Sequence, residues 1–391
     1  MRIVYYSLPS FLDLDSHQVK VLSSKVELHI VIEVSPFAWK YNILGLPLPP
    51  WGPGFYDARD FLRENLPKAA MKYYEGASGI YFSVYPSGFK LSSLKTLWLT
   101  QKKIADINPD ILHFDGESIR AASWSSLVNI PLVLNVHEPK TTAGVWQQGL
   151  GLAKSILIPK AKVIITHSDE CMQDLIKYWH IPPARIKKIP LGPFDILKAW
   201  AQSLPVEVSK KRKMVFMWGW LNQRKGVDIL VDAAPLIAQE IADVDIVIAG
   251  KPSGGYNPPA PTQLPNNGFM NIITGHLKYN DLARLLSDAT ITTMPYRHAR
   301  QSGVILTAYG LKKPVVASDI KALREQVRDN YTGLLVKPED PVALANGIIS
   351  LLKNDQLIAE MSKNINTFCE ENISWDAFGA QVNDVYTSML R

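Results

Sequence analysis

The amino-acid sequence predicts an α/β protein of two doubly wound domains, each a parallel sheet covered on both faces by helices. Three observations carry this. The chain has 391 residues, more than one ordinary hydrophobic core serves, so two domains are expected. Short, almost wholly apolar runs alternate with stretches of helical periodicity from end to end, the pattern of strands buried on both faces. The alternation restarts after about residue 200, which favours two sheets over one long sheet.

In chain order the first half predicts strands at RIVYYS (Arg2–Ser7), ELHIVIEV (Glu27–Val34), DILHF (Asp110–Phe114), PLVLNVH (Pro131–His137) and KVIITH (Lys162–His167). Helical patterns such as LKTLWLTQKKIADI and ECMQDLIKYW fall between them. The second half predicts MVFMWGW (Met214–Trp220), DIVIAG (Asp245–Gly250), NIIT (Asn271–Thr274), ITTMPY (Ile291–Tyr296), PVVAS (Pro314–Ser318) and GLLV (Gly333–Val336). Periodicity fades and charge clusters over Pro190–Lys213, the expected hinge. The expected domains are therefore 1–200 and 201–370, with a C-terminal segment, 371–391, whose helix WDAFGAQVNDVYTSML packs back on the first domain.

Composition excludes several classes. With 47% hydrophobic and 20% charged residues, the chain is globular rather than disordered. No apolar run approaches the roughly 18 residues of a membrane span. The N-terminal MRIVYYSLPS enters a β-branched and aromatic run at once, which reads as a first strand and not as a signal peptide. Only Cys171 and Cys369 are present, far apart; this fits a reducing cytoplasm and offers no metal-ligand cluster. Neither a metal nor a bound cofactor is expected. The net charge is +6, with basic groups at Lys102-Lys103, Lys187-Lys188 and Lys210 to Lys213. They read as solvated surface or as attraction to the anionic inner face of a membrane. No nucleic-acid-binding motif is visible, so no nucleic acid is expected as a partner.

Open α/β sheets bind ligands beyond the carboxyl ends of their strands, so function is sought at strand ends, in a cleft between the domains. In WGWLNQRKGVDILV, Gly219 ends a strand, and Arg224, Lys225 and Gly226 precede a helix. Cations beside a helix N-terminus suit a phosphate, although solvated loop charges give the same pattern. Further on, Gly275 permits a close turn beside His276. After ITTMPY come Arg297, His298 and Arg300, then Gln301, Ser302 and Gly303. Ser302 is an N-cap, Gly303 lets a ligand approach the backbone, and two arginines with helix amides suit an anion. In the first half His137 and His113 lie at neighbouring strand ends. The stretch Ala38–Phe61, with Trp39 and Trp51, is either a platform for sugar rings or a lipid-linked acceptor, or a loop packed on its domain.

Taken together these residues resemble glycosyltransferase family 4, retaining enzymes of the GT-B fold. GWLNQRKG (Gly219–Gly226) matches the family's Gly-Arg-Leu-x-x-x-Lys-Gly. GLKKPVVASD (Gly310–Asp319), LREQVRDNYTGLLV (Leu323–Val336) and PEDPVALANGIISLLKND (Pro338–Asp355) follow in the family's order. NVHEPK (Asn135–Lys140) places His137 where the family usually carries an active-site histidine. The similarity spans Met214 to about Trp375 and continues more weakly over the first domain. It implies two Rossmann-like domains facing a cleft, and transfer of a sugar from a nucleoside-diphosphate sugar to a carbohydrate or lipid-linked acceptor hydroxyl, with retention, in glycan, polysaccharide or glycolipid synthesis. On this resemblance His137 and Lys225 serve the chemistry. Gly219, Arg224, Gly226, His276, Arg297 and Arg300 hold the donor, with Gln301, Ser302, Gly303, Thr307 and Glu325. His113, Trp39 and Trp51 meet the acceptor.

The match departs from the family at three places. Trp220 stands where the motif has arginine, Ala299 and Thr307 stand where it has two glutamates, and the loop Ser7–Ser16 lacks paired glycines. Arg297 or Arg300 is expected to replace the missing cation, and Thr307 offers one hydroxyl to the donor ribose. The same losses fit a second reading, a non-catalytic nucleotide-sugar-binding homologue that regulates an active partner. A third, a sugar-nucleotide epimerase, calls for converging carboxylates, and acidic residues look scarce at these strand ends. In family 4-like chemistry the leaving phosphate takes the acceptor's proton, and no carboxylate pair is required.

Overall fold

A computed structural model describes residues 1–88, 90–140, 145–202, 212–300 and 302–391, with 145–148 as backbone alone. The chain divides into two compact units, Met1–Leu191 with Trp375–Arg391, and Gly192–Ser374. The division falls earlier than the sequence suggests. Phe194 N–H bonds to the Leu306 carbonyl, and Trp200 packs edge-on against Tyr279 at 4.7 Å between ring centres, so the segment after Gly192 is held by the second unit.

The first unit is an eight-stranded sheet: β1 (Arg2–Ser7), β2 (Glu27–Val34), β3 (Gly54–Asp57), β4 (Gly79–Val84), β5 (Ile111–Asp115), β6 (Leu132–Asn135), β7 (Val163–Thr166) and β8 (Ile186–Lys188). Its order is β3-β4-β2-β1-β5-β6-β7-β8, parallel except for the β3 edge. One face is apolar, with Val4, Tyr6, Leu112, Phe114, Leu132 and Leu134 packed on Ile104, Trp124 and Leu157. Successive strand residues point to opposite faces, so Tyr5 and His113 lie on the other side, paired in register. That side meets the helix Leu12–Leu22 and the last helix, Trp375–Leu390. His17 stacks on Trp375 at 5.0 Å, and Lys162 Nζ bonds to the Met389 carbonyl at 2.9 Å.

The second unit is a seven-stranded sheet: β9 (Lys213–Trp218), β10 (Val244–Gly250), β11 (Thr262–Gln263), β12 (Phe269–Thr274), β13 (Ile291–Met294), β14 (Val315–Ser318) and β15 (Gly333–Val336). Its order is β11-β12-β10-β9-β13-β14-β15, parallel except for the short β11. Strand order reverses between β1 and β5 in one sheet and between β9 and β13 in the other. Loops after those strands diverge to opposite faces and leave the crevice in which doubly wound sheets bind ligands. Among the described residues no helix is long and apolar enough to cross a membrane.

Candidate functional site

At the carboxyl edge of the first sheet, β1, β5 and β6 deliver Ser7, Asp115 and His137 to one buried polar cluster. Asp115 accepts from Tyr5 Oη at 3.0 Å, Gln18 Nε2 at 2.8 Å and His137 Nε2 at 2.5 Å. Asp15, from the first long helix, accepts from Tyr5 Oη at 2.7 Å and from Ser7 Oγ. Burial works against the Asp115 carboxylate, but His137 outweighs it and holds Asp115 well below the usual carboxylate range. Burial and the neighbouring Asp115 push Asp15 strongly up. Burial alone would lower His137; the Asp115 carboxylate reverses this and raises it, so the imidazolium is favoured. The ring is 19% exposed, lies stacked on Phe11 at 4.5 Å and sits 5.0 Å from the His167 ring. Gly116, at φ 80°, makes room for this, because a Cβ there would strike the Phe11 ring.

Two further groups belong to this edge. His167 binds the Ile189 carbonyl through Nδ1 at 2.8 Å, and burial pulls its pKa down to about 3. Glu117 has a buried Oε1 with no hydrogen-bond partner among the described residues, and burial pushes its carboxyl up to about 7. The scarcity of acids expected at the strand ends is thus corrected. Asp115 and Glu117 follow one another at the end of β5, and the fold brings Asp15 to them from the helix Leu12–Leu22.

In the second unit the loop after β9 is tied down on both sides. Asn222 caps its turn, accepting from Lys225 N–H at 3.1 Å and donating to Ser253 Oγ at 3.0 Å. Gly226 takes φ 68°, and a Cβ there would overlap the Pro295 carbonyl, so only glycine lets the helix Val227–Glu240 begin against β13's loop. Gly219 is likewise at positive φ, 118°, with open space above it. Lys225 Nζ lies 3.9 Å from the centre of the Tyr296 ring, a cation–π contact beside the start of that helix. Arg224 is exposed. Trp220, where the family resemblance expects an arginine, is 48% exposed, and Lys251 Nζ lies 5.9 Å over its ring.

Several expected contacts are corrected by the geometry. Arg297 does not present its guanidinium as a replacement clamp. It grips Asp228 through both Nη atoms at 2.8 and 2.6 Å, Glu339 through Nε at 3.1 Å, and the Gln223 carbonyl at 2.6 Å. It fixes the Lys225 loop instead. Thr307 donates to the Gly303 carbonyl at 2.8 Å inside its own helix and is buried. Ser302 caps Ile305, as its sequence position predicts, but its amide and carbonyl are both bound by the Gln326 side chain. Gly303 is exposed at that helix start, Arg300 is half-buried, and Glu325 is exposed. Gln301 lies outside the described residues. His276 is exposed at the end of β12 in a cleft of about 230 Å³ shared with Thr274, Gly275, Asp281 and Arg284.

On the acceptor side, His113 is fully buried between Asn135 Oδ1 at 2.8 Å and Tyr386 Oη at 2.5 Å, and burial lowers its pKa to about 4. It is a structural histidine of the strand–helix interface, because it sits mid-strand on the face that the last helix covers. Trp39 is also buried, donating to the Pro47 carbonyl at 2.9 Å and packing edge-on against Phe82. Trp51 stacks on Tyr56 at 5.1 Å and remains at the rim of a cleft of about 290 Å³ with Val34, Leu48 and Tyr85.

Comparison with known proteins decides the family. The model described as Glycosyltransferase Family 4 matches residues 17–192, and that described as Glycosyl transferases group 1 matches residues 212–354. The chain is a family 4-like glycosyltransferase. The glycosyltransferase is 22% identical over 296 residues to alpha-D-kanosaminyltransferase of Streptomyces kanamyceticus, covering 70% of this chain and 75% of that protein. It is 25% identical over 304 residues to the phosphatidyl-myo-inositol mannosyltransferase of Mycolicibacterium smegmatis, covering 74% of each. Its fold is GT-B. The structure of Anabaena HepE in complex with UDP superposes with a TM-score of 0.64 at 16% identity, covering 99% of this chain and 100% of that one. Sucrose-phosphate synthase from Thermosynechococcus elongatus superposes with 0.63 at 16% identity, covering 100% and 99%.

Proposed function

We propose that this glycosyltransferase moves a sugar from a nucleoside-diphosphate sugar to an acceptor hydroxyl, with retention of configuration. The observation that carries the reading is the Lys225 loop. An ammonium group stands at the start of a helix, on a loop held by Asn222, Gly226 and the Arg297–Asp228 pair. Such a rigid positive site stabilises the charge that grows on a departing diphosphate. Lys251, beside Trp220, takes the place of the motif arginine as the second cation. HepE, of the same fold, is described with UDP and with UDP-glucose, which supports a nucleotide-sugar donor.

On the first unit His137, charged and fixed by Asp115, binds the transferring sugar or the acceptor. The leaving phosphate takes the acceptor's proton on the face that the leaving group vacates. The acceptor is a carbohydrate or lipid-linked hydroxyl, and the relatives include mannosyltransferases whose name specifies a phosphatidylinositol. Cys171 and Cys369 are both buried, one in each unit, which suits work in the cytoplasm.

A thermal-shift screen over nucleoside diphosphates and their sugars tests this, since a ligand at about 100 times its Kd adds roughly 2.7 kcal/mol of stability. One base should stand out, and Lys225→Ala should abolish most of the shift and slow sugar transfer about 100-fold or more. No stabilisation by any nucleotide sugar, or a Lys225→Ala enzyme of unchanged turnover, would overturn the assignment.

A further inference from the structure

The helix Leu91–Ile107 is anchored in the core by Ile104 and Ile107, but its first turns have their polarity inverted. A surface helix normally turns apolar residues inward and polar ones to water. Here Thr96 and Thr100 face the sheet, bonded to the Val84 carbonyl and to Ser83 Oγ, each at 2.8 Å. The outward positions, spaced three and four apart, are Leu91, Leu94 and Trp98, with 86%, 62% and 59% of their surface exposed. Lys95 and Lys102 share that outer face, and Lys90 stands at its start. Lys102 Nζ lies 5.6 Å from the Trp98 ring. From Tyr85 to Ala105 the sequence contains no acidic residue.

The patch continues past the helix start. Lys90 and Ser92 form one wall of the apolar cleft that Leu48, itself half exposed, shares with Val34 and Trp51. The Tyr85 hydroxyl in that wall is buried without a partner among the described residues.

We propose that this helix face docks the protein on an anionic membrane surface. Leu91, Leu94 and Trp98 enter the headgroup region, and Lys90, Lys95 and Lys102 lie along lipid phosphates. The charge argues for a bilayer over a protein surface: from Lys90 to Lys102 apolar and basic side chains are interleaved on one helix face, the composition of an interfacial helix, and the one acid of the helix, Asp106, comes only in its last turn. The docked face borders the Trp51 cleft, which places that cleft at the bilayer surface. This goes beyond the donor-site reading and does not depend on it.

Flotation of the full chain with vesicles of phosphatidylcholine, and of phosphatidylcholine mixed with phosphatidylglycerol, provides the test. The protein should float with the anionic vesicles and be released progressively by salt. A Leu94→Ser/Trp98→Ser variant should lose at least about tenfold in partitioning. Lys95→Glu/Lys102→Glu should lose more than the roughly fivefold per lysine expected for neutralisation, on anionic vesicles only. Both variants should melt as the parent does, because all four side chains are exposed. Three results would each overturn the proposal: no flotation of the parent with either vesicle, variants that float as the parent does, or a parent dimer that Leu94→Ser/Trp98→Ser dissociates, which would give the face to a second copy of the chain.

Discussion

Asp115→Asn isolates the electrostatics of the first unit, because it keeps the shape of the side chain and removes its charge. Three donors converge on this carboxylate, from Tyr5, Gln18 and His137. An amide offers one acceptor oxygen and turns an NH2 towards one of those donors. Removing one partner of a buried ion pair costs about 3–5 kcal/mol. The lower end applies here, since His137 is partly exposed and can release its proton, and Asp15 can ionise once its neighbour is neutral. About 3 kcal/mol corresponds to roughly 100-fold faster exchange at the slowest amides of β5 and β6. Native-state hydrogen exchange, corrected for intrinsic rates, reads this out. The pH dependence gives a second check. His137 is raised in the folded state, so the pair's contribution is complete below its unfolded value of 6.5 and is lost as pH rises through the folded value. The gap between parent and variant should therefore be widest near pH 6 and narrow on the alkaline side. Exchange within twofold of the parent, or a gap that does not change with pH, would refute the reasoning.

Two further outcomes follow from the same physics. Glu117→Gln should raise stability above pH 7 by up to about 3 kcal/mol and leave it unchanged below pH 4.5, measured as Tm against pH. The sign follows because the buried carboxyl, raised from 4.5 to about 7, stabilises the fold only while protonated. Gly226→Ala should cost at least about 2 kcal/mol, combining the left-handed backbone penalty of about 1–2 kcal/mol with displacement of the Pro295 carbonyl. Its Tm should fall and donor-induced stabilisation weaken with it; a variant with the parent's melting curve would show that the loop does not need this approach.

Much of the strand framework was legible because parallel strands buried on both faces are continuous apolar runs. RIVYYS, ELHIVIEV and DIVIAG needed nothing beyond that rule, and each is a strand with those bounds or within a residue of them. β4 was not anticipated, though GIYFSV is β-branched and aromatic; Ser83 interrupts the apolar run, and only its bond to Thr100 makes that serine acceptable inside. The edge strands β3, β8 and β11 are two to four residues long and carry too little pattern to read.

By itself the sequence determined the alternation of strands and helices, the family resemblance, the Ser302 cap and the glycine at 226, because each depends on a residue's own backbone preferences or on its near neighbours. Tertiary structure alone decided which charged groups remain available. Arg297 is taken up by Asp228, 69 positions away, and His113 by Tyr386, 273 positions away. Asp115 gathers His137 and Gln18 from either side of the chain. Whether a charge faces a ligand or a partner depends on side chains that only the folded sheet brings within about 3 Å of each other, and no local spacing encodes that.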